Sequence, residues 1–443
     1  MEALKTKLKG KTWLVIIIIS LFGQVAWAIE NNFFNLYIRD VFGANLNQIA
    51  LMVSLSAIAA TLTTLFIGAL SDKLGKRKVF IATGYILWGI TIICFALLQK
   101  FADNLSVVTG TSFTTIGVSL VIIFDCIMTF FGSSANDACF NAWMTDISDE
   151  TNRGKIEGVN SAMPLLAMLL VFGGAMFLTT DDGLSYKYDI LFIIIGISVL
   201  VVGIGSFFLI DEPNISPNNE EPYFKNIFYG FRPSVIKENK TLYLVFLSFC
   251  IFSIAQQVFM PYYVIYLNLM LGSNYVFIMA PAIVLAAVFT VLYGRLIDKL
   301  GFVKGIITPF TLFVVGLILL TSFTNPVVIF IGSLLMISGF LGTNAVHGAM
   351  IRDYTPQKKV GLFQGIRIVV AVLIPMLVGP WIGSLVSSGV NAGFGVVGDD
   401  YTPSSMIFLA GAIVSLLCII VIIFISKKLK SKIEIKEDEN NEE

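Results

Sequence analysis

The stretch Gly68-Ala-Leu-Ser-Asp72-Lys-Leu-Gly75 returns in the second half of the chain as Gly294-Arg-Leu-Ile-Asp298-Lys-Leu-Gly301. Two more pairs of segments repeat in the same order. They are Ile29-Glu-Asn-Asn-Phe-Phe-Asn-Leu-Tyr37 with Ile254-Ala-Gln-Gln-Val-Phe-Met-Pro-Tyr262, and Asp146-Ile-Ser with Asp353-Tyr-Thr. Three matches in one order predict that the chain consists of two related halves.

The composition around these repeats is that of a membrane protein. Of 443 residues, 56% are hydrophobic and 13% are charged, whereas a soluble domain carries about 25% charged residues. Continuous apolar runs of about 20 residues predict transmembrane helices rather than the short alternating strands of a barrel. Twelve such runs occur, at 13–38, 46–70, 79–99, 115–143, 156–178, 189–210, 241–269, 275–297, 305–323, 326–350, 361–388 and 404–426.

The distribution of basic residues tests this count of spans. Lysine and arginine concentrate at both termini and in alternate connections, and only Arg39, Lys100 and Lys187 fall on the opposite side. Cytoplasmic loops carry such an excess, so we expect both termini in the cytoplasm and the protein in the cell membrane. The predicted organisation is an N-terminal bundle at 1–210, a polar cytoplasmic linker at 211–240, a C-terminal bundle at 241–427 and a disordered tail at 428–443.

Soluble chemistry has little support in the sequence. The five cysteines all lie in apolar runs without metal-ligand spacing, and the chain has a single histidine. We therefore expect no metal, no cofactor and no enzymatic activity. The formal net charge is zero, so we expect no nucleic-acid partner; the expected partners are the lipid bilayer and a small-molecule substrate, with the chain acting as a monomer.

The first repeated stretch continues into Lys76-Arg77-Lys78 and resembles the signature loop of the major facilitator superfamily. The resemblance implies an all-α fold of twelve transmembrane helices in two pseudo-symmetric six-helix bundles, with substrate near the membrane midplane between the repeats. It also implies a gate on the cytoplasmic face, for which we select Asp72, Arg77, Asp298 and Arg367. The alternative is that these charges only set the topology.

Two further segments narrow the resemblance. Phe22-Gly-Gln-Val-Ala-Trp27-Ala-Ile-Glu30 and the span-four residues Asp125, Asn136, Asp137 and Trp143-Met-Thr-Asp146 resemble sucrose-type transporters and the glycoside–pentoside–hexuronide cation symporters. Span two lacks the carboxylates of the sodium-coupled members, and span five lacks the arginine of the sucrose carriers. The resemblance thus implies a sugar or glycoside substrate, with a proton rather than sodium as the coupling ion.

Ionisable residues inside spans are costly and mark candidate sites. Asp125 shares one helical face with Thr129, Gly132 and Asn136. We select Asp125, Glu30 and Asp137 for cation coupling; the alternative is that they are structural carboxylates.

Polar and aromatic groups in spans one, four, seven and ten supply the candidates for substrate binding. Side-chain amides both donate and accept, as sugar hydroxyls require, and Trp27 offers a flat apolar face. The candidates are Trp27, Asn31, Asn32, Asn136, Gln256, Gln257, Tyr262 and His347. The alternative is a helix-packing network, above all for the lone histidine.

The sequence therefore predicts a cation-coupled symporter that imports a sugar or glycoside by alternating access. A second interpretation is an efflux facilitator for amphipathic compounds, which the Asn- and Gln-rich spans one and seven disfavour. A non-transporting receptor or a membrane-bound enzyme is a third, without a supporting constellation of residues.

Overall fold

A computed structural model describes residues 8–148, 152–180, 185–212, 229–356, 360–387 and 400–442. Apart from one isolated β-bridge between Thr179 and Tyr186, the regular structure of these residues is helical. Twelve helices are long and apolar enough to cross a membrane, which confirms the predicted fold. They are α1 Gly10–Phe42, α2 Leu46–Leu74, α3 Lys78–Phe95, α4 Phe113–Asp146, α5 Gly158–Leu178, α6 Tyr188–Leu209, α7 Lys240–Leu271, α8 Tyr275–Gly294, α9 Lys304–Ser322, α10 Pro326–Tyr354, α11 Gly365–Ser387 and α12 Met406–Lys427.

Three of these helices contain a π-helical segment. The segments are Ile29–Phe34 in α1, Ser133–Phe140 in α4 and Val369–Leu373 in α11. A π-helical turn shifts backbone hydrogen bonds from the fourth to the fifth residue, and such turns occur frequently at functional sites. The segments in α1 and α4 coincide with the polar residues selected from the sequence.

The chain forms two compact units. The N-terminal unit comprises Met1–Glu221 together with Leu267–Val276, and the C-terminal unit comprises Pro222–Tyr266 and Phe277–Glu443. The end of α7, the connection after it and the first two residues of α8 are thus part of the N-terminal unit.

Within the N-terminal unit, small residues bring helices α3 and α6 into backbone contact. A side chain on Gly89 would lie 2.6 Å from the carbonyl oxygen of Gly196, and one on Gly203 would lie 2.5 Å from the backbone nitrogen of Ile86. Small residues permit this close packing in lipid, where apolar side chains gain nothing by leaving the solvent.

The two copies of the repeated loop have different conformations. After α2, Gly75 adopts a left-handed conformation (φ +60°) and ends the helix, and the chain turns directly into α3. Between α8 and α9, the backbone stays helical from Tyr275 to Ser322. The side chains of residues 295–303 lie outside the described part, and with them Asp298 of the predicted gate.

The connections beyond the bundles are partly described. Residues 213–228 of the predicted linker lie outside the described ranges, and a short helix at Pro233–Glu238 precedes α7. The last helix continues from Met406 to Glu442, through the tail that the composition predicts to be disordered. A helix already nucleated by a membrane span extends at low cost, because only its nucleation is unfavourable.

Candidate functional site

The π-helical segment of α1 places Glu30 inside the N-terminal unit, facing α2 and α4. Its Oε1 accepts hydrogen bonds from the Ser56 hydroxyl at 2.8 Å and from the Thr129 hydroxyl at 3.0 Å. The two hydroxyl oxygens lie 2.8 Å apart. Three helices thus meet at one carboxylate oxygen.

Asp125 lies beside this group, one helical turn before Thr129. Its side chain is 1% exposed, in range of a hydrogen bond with Ser56 and of the charge of Glu30. Among the described residues, Asp125 Oδ1 and Glu30 Oε2 are buried without a hydrogen-bond partner. Neither acid takes part in the ion pairs found among the described residues, so within that part of the chain no cation neutralises them.

Asp137 lies in the π-helical segment of α4 and has several donors. Its carboxylate accepts from Ser133 at 3.1 Å, from the Asn136 amide at 3.0 Å and from the Trp27 side chain. The other end of the Asn136 amide lies 2.9 Å from the Tyr85 hydroxyl. Asn136 is therefore bonded on both sides within the helical bundle.

Trp27 packs against a second tryptophan. The ring centroids of Trp27 and Trp88 lie 4.9 Å apart at a tilted angle. Gly132 makes room for both, since a side chain there would come within 2.7 Å of the Trp88 ring and 3.0 Å of the Trp27 ring. The face of Trp27 that the sequence suggests for a sugar ring is thus partly covered by Trp88.

The asparagines of α1 bond to their own helix. The amide nitrogens of Asn31, Asn32 and Asn35 each donate to the carbonyl oxygen four residues earlier, at 2.8, 2.8 and 3.0 Å. Asn31 is exposed, whereas Asn32 and Asn35 are buried. The amide oxygens of Asn31 and Asn32, and the second hydrogen of each amide nitrogen, are the groups left for a ligand.

The candidates of the C-terminal unit lie on α7 and α10. Gln256 and Gln257 are half-buried. The hydroxyl of Tyr262 donates to the Pro380 carbonyl oxygen at 2.7 Å, and the neighbouring Tyr263 donates to Ser333 at 2.7 Å. Both tyrosine hydroxyls therefore join helices within this unit.

His347 is fully buried between the rings of Phe249 and Phe252. Its Nδ1 lies 3.0 Å from the Thr343 carbonyl oxygen, and its Nε2 lies 3.0 Å from the Ser248 hydroxyl. A carbonyl only accepts, so the network assigns the proton to Nδ1 and leaves Nε2 to accept from Ser248. This is the geometry of a neutral histidine that helps pack α7 against α10.

The predicted gate residues of the first loop form an ion-pair network. The guanidinium of Arg77 contacts Asp72 and the Ser71 hydroxyl, and its Nε donates to Asp146 at 2.9 Å. Burial lowers the pKa of Arg77, but the carboxylates of Asp146 and Asp72 outweigh that effect and raise it. The fourth gate candidate, Arg367, is exposed on α11.

The sequence did not single out Ser56, Tyr85 or Trp88, although all three contact candidate residues. Span two offers several equivalent hydroxyls, among them Ser54, Thr61 and Thr63. Only the structure shows which face of α2 is turned toward α1, and therefore that Ser56 is the hydroxyl that contacts Glu30.

The comparisons with known proteins agree with this helical architecture. The model of the Major Facilitator Superfamily matches residues 16–289 and 277–442. The chain belongs to the Major Facilitator Superfamily. An uncharacterized MFS-type transporter of Methanocaldococcus jannaschii is 23% identical over 329 residues, which are 73% of this chain and 79% of the relative. Members of the superfamily are membrane transporters, so the chain is a transporter and not an enzyme.

Solved transporter structures share the fold. A point mutant of the nucleoside transporter NupG is similar with a TM-score of 0.70 and 11% identity, over 93% of this chain and 99% of that one. The xylose transporter XylE from E. coli, in a partially occluded inward-open conformation, is similar with a TM-score of 0.68 and 14% identity, over 94% of this chain and 98% of that one. An inward-facing bacterial homolog of the human lysosomal transporter Spinster is similar with a TM-score of 0.68 and 14% identity, over 95% of this chain and 98% of that one. Identities this low support the fold alone.

Proposed function

We propose that this transporter is a proton-coupled symporter that imports a sugar or glycoside by alternating access, as a member of the glycoside–pentoside–hexuronide or sucrose-type branch. In this proposal it works as a monomer in the cell membrane, with both termini in the cytoplasm. Sodium is the second candidate for the coupling ion.

The observation that carries the proposal is the pair of acids inside the N-terminal unit. Glu30 and Asp125 are buried, and neither forms an ion pair among the described residues. Burying an unpaired carboxylate is costly, so the pair favours binding a cation from solution. Loading and unloading that cation is how a transporter couples its cycle to an ion gradient.

The sugar half of the proposal rests on weaker contacts. The amide oxygens of Asn31 and Asn32 and the half-buried side chains of Gln256 and Gln257 are suitable partners for sugar hydroxyls. Trp27 adds an aromatic surface one helical turn before Asn31. XylE, a neighbour in fold, is a xylose transporter.

One observation favours the second candidate, efflux of amphipathic compounds. The amide nitrogens of Asn31 and Asn32 and the hydroxyl of Tyr262 all donate within the protein. Fewer donors than the sequence suggests are therefore free for a sugar, and the half-buried ring of Trp27 suits a less polar solute.

Uptake by proteoliposomes tests the proposal. A panel of labelled sugars and glycosides is offered with an inward proton gradient and, separately, an inward sodium gradient. We expect accumulation of at least one sugar with the proton gradient only. Export of an amphipathic dye without accumulation of any sugar would instead establish the second candidate.

The variant Asp125→Asn then tests the coupling. It retains the shape of the side chain but cannot exchange a proton, so we expect accumulation to fall to the level of protein-free liposomes while sugar exchange persists. Asp103→Asn is the matched control, because Asp103 is exposed on the separate helix Leu98–Thr109. Undiminished accumulation by Asp125→Asn would contradict the assignment of this residue.

A further inference from the structure

The oxygen atoms around Glu30 make more close contacts with each other than they have hydroxyl protons to form hydrogen bonds. Glu30 Oε1, Ser56 Oγ and Thr129 Oγ1 form a triangle with sides of 2.8, 2.8 and 3.0 Å. Each hydroxyl carries one proton, and an ionised carboxylate carries none. Two protons therefore serve three contacts, and Ser56 also lies within hydrogen-bonding range of Asp125.

One additional proton on Asp125 gives the contact between Asp125 and Ser56 a donor and leaves the Ser56–Thr129 contact as the one without a proton. Both hydroxyls are placed to donate to Glu30 Oε1, which marks Glu30 as the ionised partner. Asp125 receives no such pair of donors, and its Oδ1 is buried without a partner among the described residues. Two neighbouring carboxyls in an apolar site do not both ionise, because each disfavours the charge of the other.

We propose that Glu30 and Asp125 hold a single proton between them and that the Ser56 hydroxyl is the bridge through which it passes. In the resting form Asp125 carries the proton and donates it to Ser56 Oγ. In the transfer, the Asp125 O–H bond breaks as a new O–H bond forms on Ser56, and the original Ser56 proton moves to Glu30. Each proton moves only along one hydrogen bond, and the total charge of the three side chains stays the same.

This inference rests on the proposed proton coupling and makes it more specific, since the coupling site becomes a pair of acids with one proton and not a single aspartate. The other titratable groups near the pair are Asp137 and Cys126, both on α4. Asp137 has its own donors in Ser133, Asn136 and Trp27 and is therefore ionised without sharing this proton.

Infrared spectroscopy counts the protonated carboxyl groups. The full-length protein in lipid nanodiscs at neutral pH, without substrate, is compared with Glu30→Gln, Asp125→Asn and the double variant through the C=O band of neutral carboxyls. We expect the wild type and each single variant to show the same one-carboxyl intensity above the double variant. When either acid is removed, the shared proton stays on the carboxyl that remains, so the count is unchanged.

Two outcomes would overturn the shared proton. A wild-type band twice as strong as that of either single variant would show two separate protons. A wild-type band no stronger than that of the double variant would show that both acids are ionised, as with a bound sodium ion. Asp137→Asn is the control for the region and should leave the intensity unchanged.

The bridge has its own variants. Ser56→Ala removes the acceptor for the neutral carboxyl, so the band should keep its intensity but move to the higher frequency of a free C=O group. Ser56→Thr retains the hydroxyl and should keep the frequency. An unshifted band in Ser56→Ala would overturn the bridging role. These measurements need no sugar, so they stand or fall independently of the uptake assay.

Discussion

The amides of α1 have a structural role that their residue type alone does not reveal. In a π-helical turn some carbonyl oxygens lose the donor that an α-helix would give them. Asn31, Asn32 and Asn35 supply that donor from their side chains. The asparagine nitrogens thus stabilise the turn that directs Glu30 inward, while the amide oxygens of Asn31 and Asn32 stay available to a substrate.

Gly23 is the residue whose substitution tests the packing under this turn. A methyl group there would collide with the Tyr85 hydroxyl and with the amide of Asn136. We expect Gly23→Ala to displace Tyr85 from the Ile19 carbonyl, which lies 2.9 Å away, and to cost about 1–3 kcal/mol of stability.

Thermal unfolding of the purified protein measures this loss. Gly174→Ala on α5 is the control, because nothing lies within 4 Å of a side chain placed there, and it should change the stability by less than about 0.5 kcal/mol. Equal melting temperatures for the two variants would contradict the crowding at Gly23.

At the scale of the elements, the sequence predicted the helices better than their irregularities. Hydrophobic runs identify spans because lipid excludes charge along a whole helix. The π-helical segments and the continued helix between α8 and α9 follow from packing between neighbours, which no single run of sequence contains. For the same reason the sequence selected Glu30 and Asp125 but not the Ser56 that joins them.

The loop between α2 and α3 is an element whose network can be weakened without loss of charge. Arg77 contacts Asp72 and Asp146 at the same time, and these two carboxylates raise its pKa above the usual value for arginine. Arg77→Lys keeps the charge but lacks the planar fork that serves both acids.

We expect Arg77→Lys to lose about 2 kcal/mol, the contribution of a hydrogen bond to a charged group, or less because Asp72 is half-exposed. Thermal unfolding at low and at high salt measures it, and the deficit should shrink with salt. Lys76→Ala changes an exposed neighbour and should have little effect. A deficit as small as that of Lys76→Ala would show that the network does not stabilise the loop.

At the scale of the whole molecule, the repeat predicted two halves, but it did not predict that a segment between α7 and α8 groups with the N-terminal unit. Leu267–Val276 runs from the last residues of α7 to the first of α8 and yet belongs to the N-terminal unit. Specific side chains attach it there. Tyr186 donates to the Tyr275 hydroxyl at 2.8 Å, Arg39 lies 3.4 Å from the Asn268 amide oxygen, and Phe172 packs on the Tyr275 ring. Such pairings between distant positions leave no periodic trace in a sequence.

Tyr275→Phe tests this attachment, because it retains the ring against Phe172 and removes only the hydroxyl that meets Tyr186. Burial raises the pKa of Tyr186 to about 12, so its phenol remains a donor across the physiological range and the attachment should not depend on pH there. We expect faster hydrogen exchange of residues 267–276 in the variant, at neutral and at mildly acidic pH alike.

Tyr186→Phe should have the same effect, and the double variant should add little to either, because all three lose one and the same bond. Exchange rates unchanged from the wild type in both single variants would show that the aromatic packing alone holds the segment.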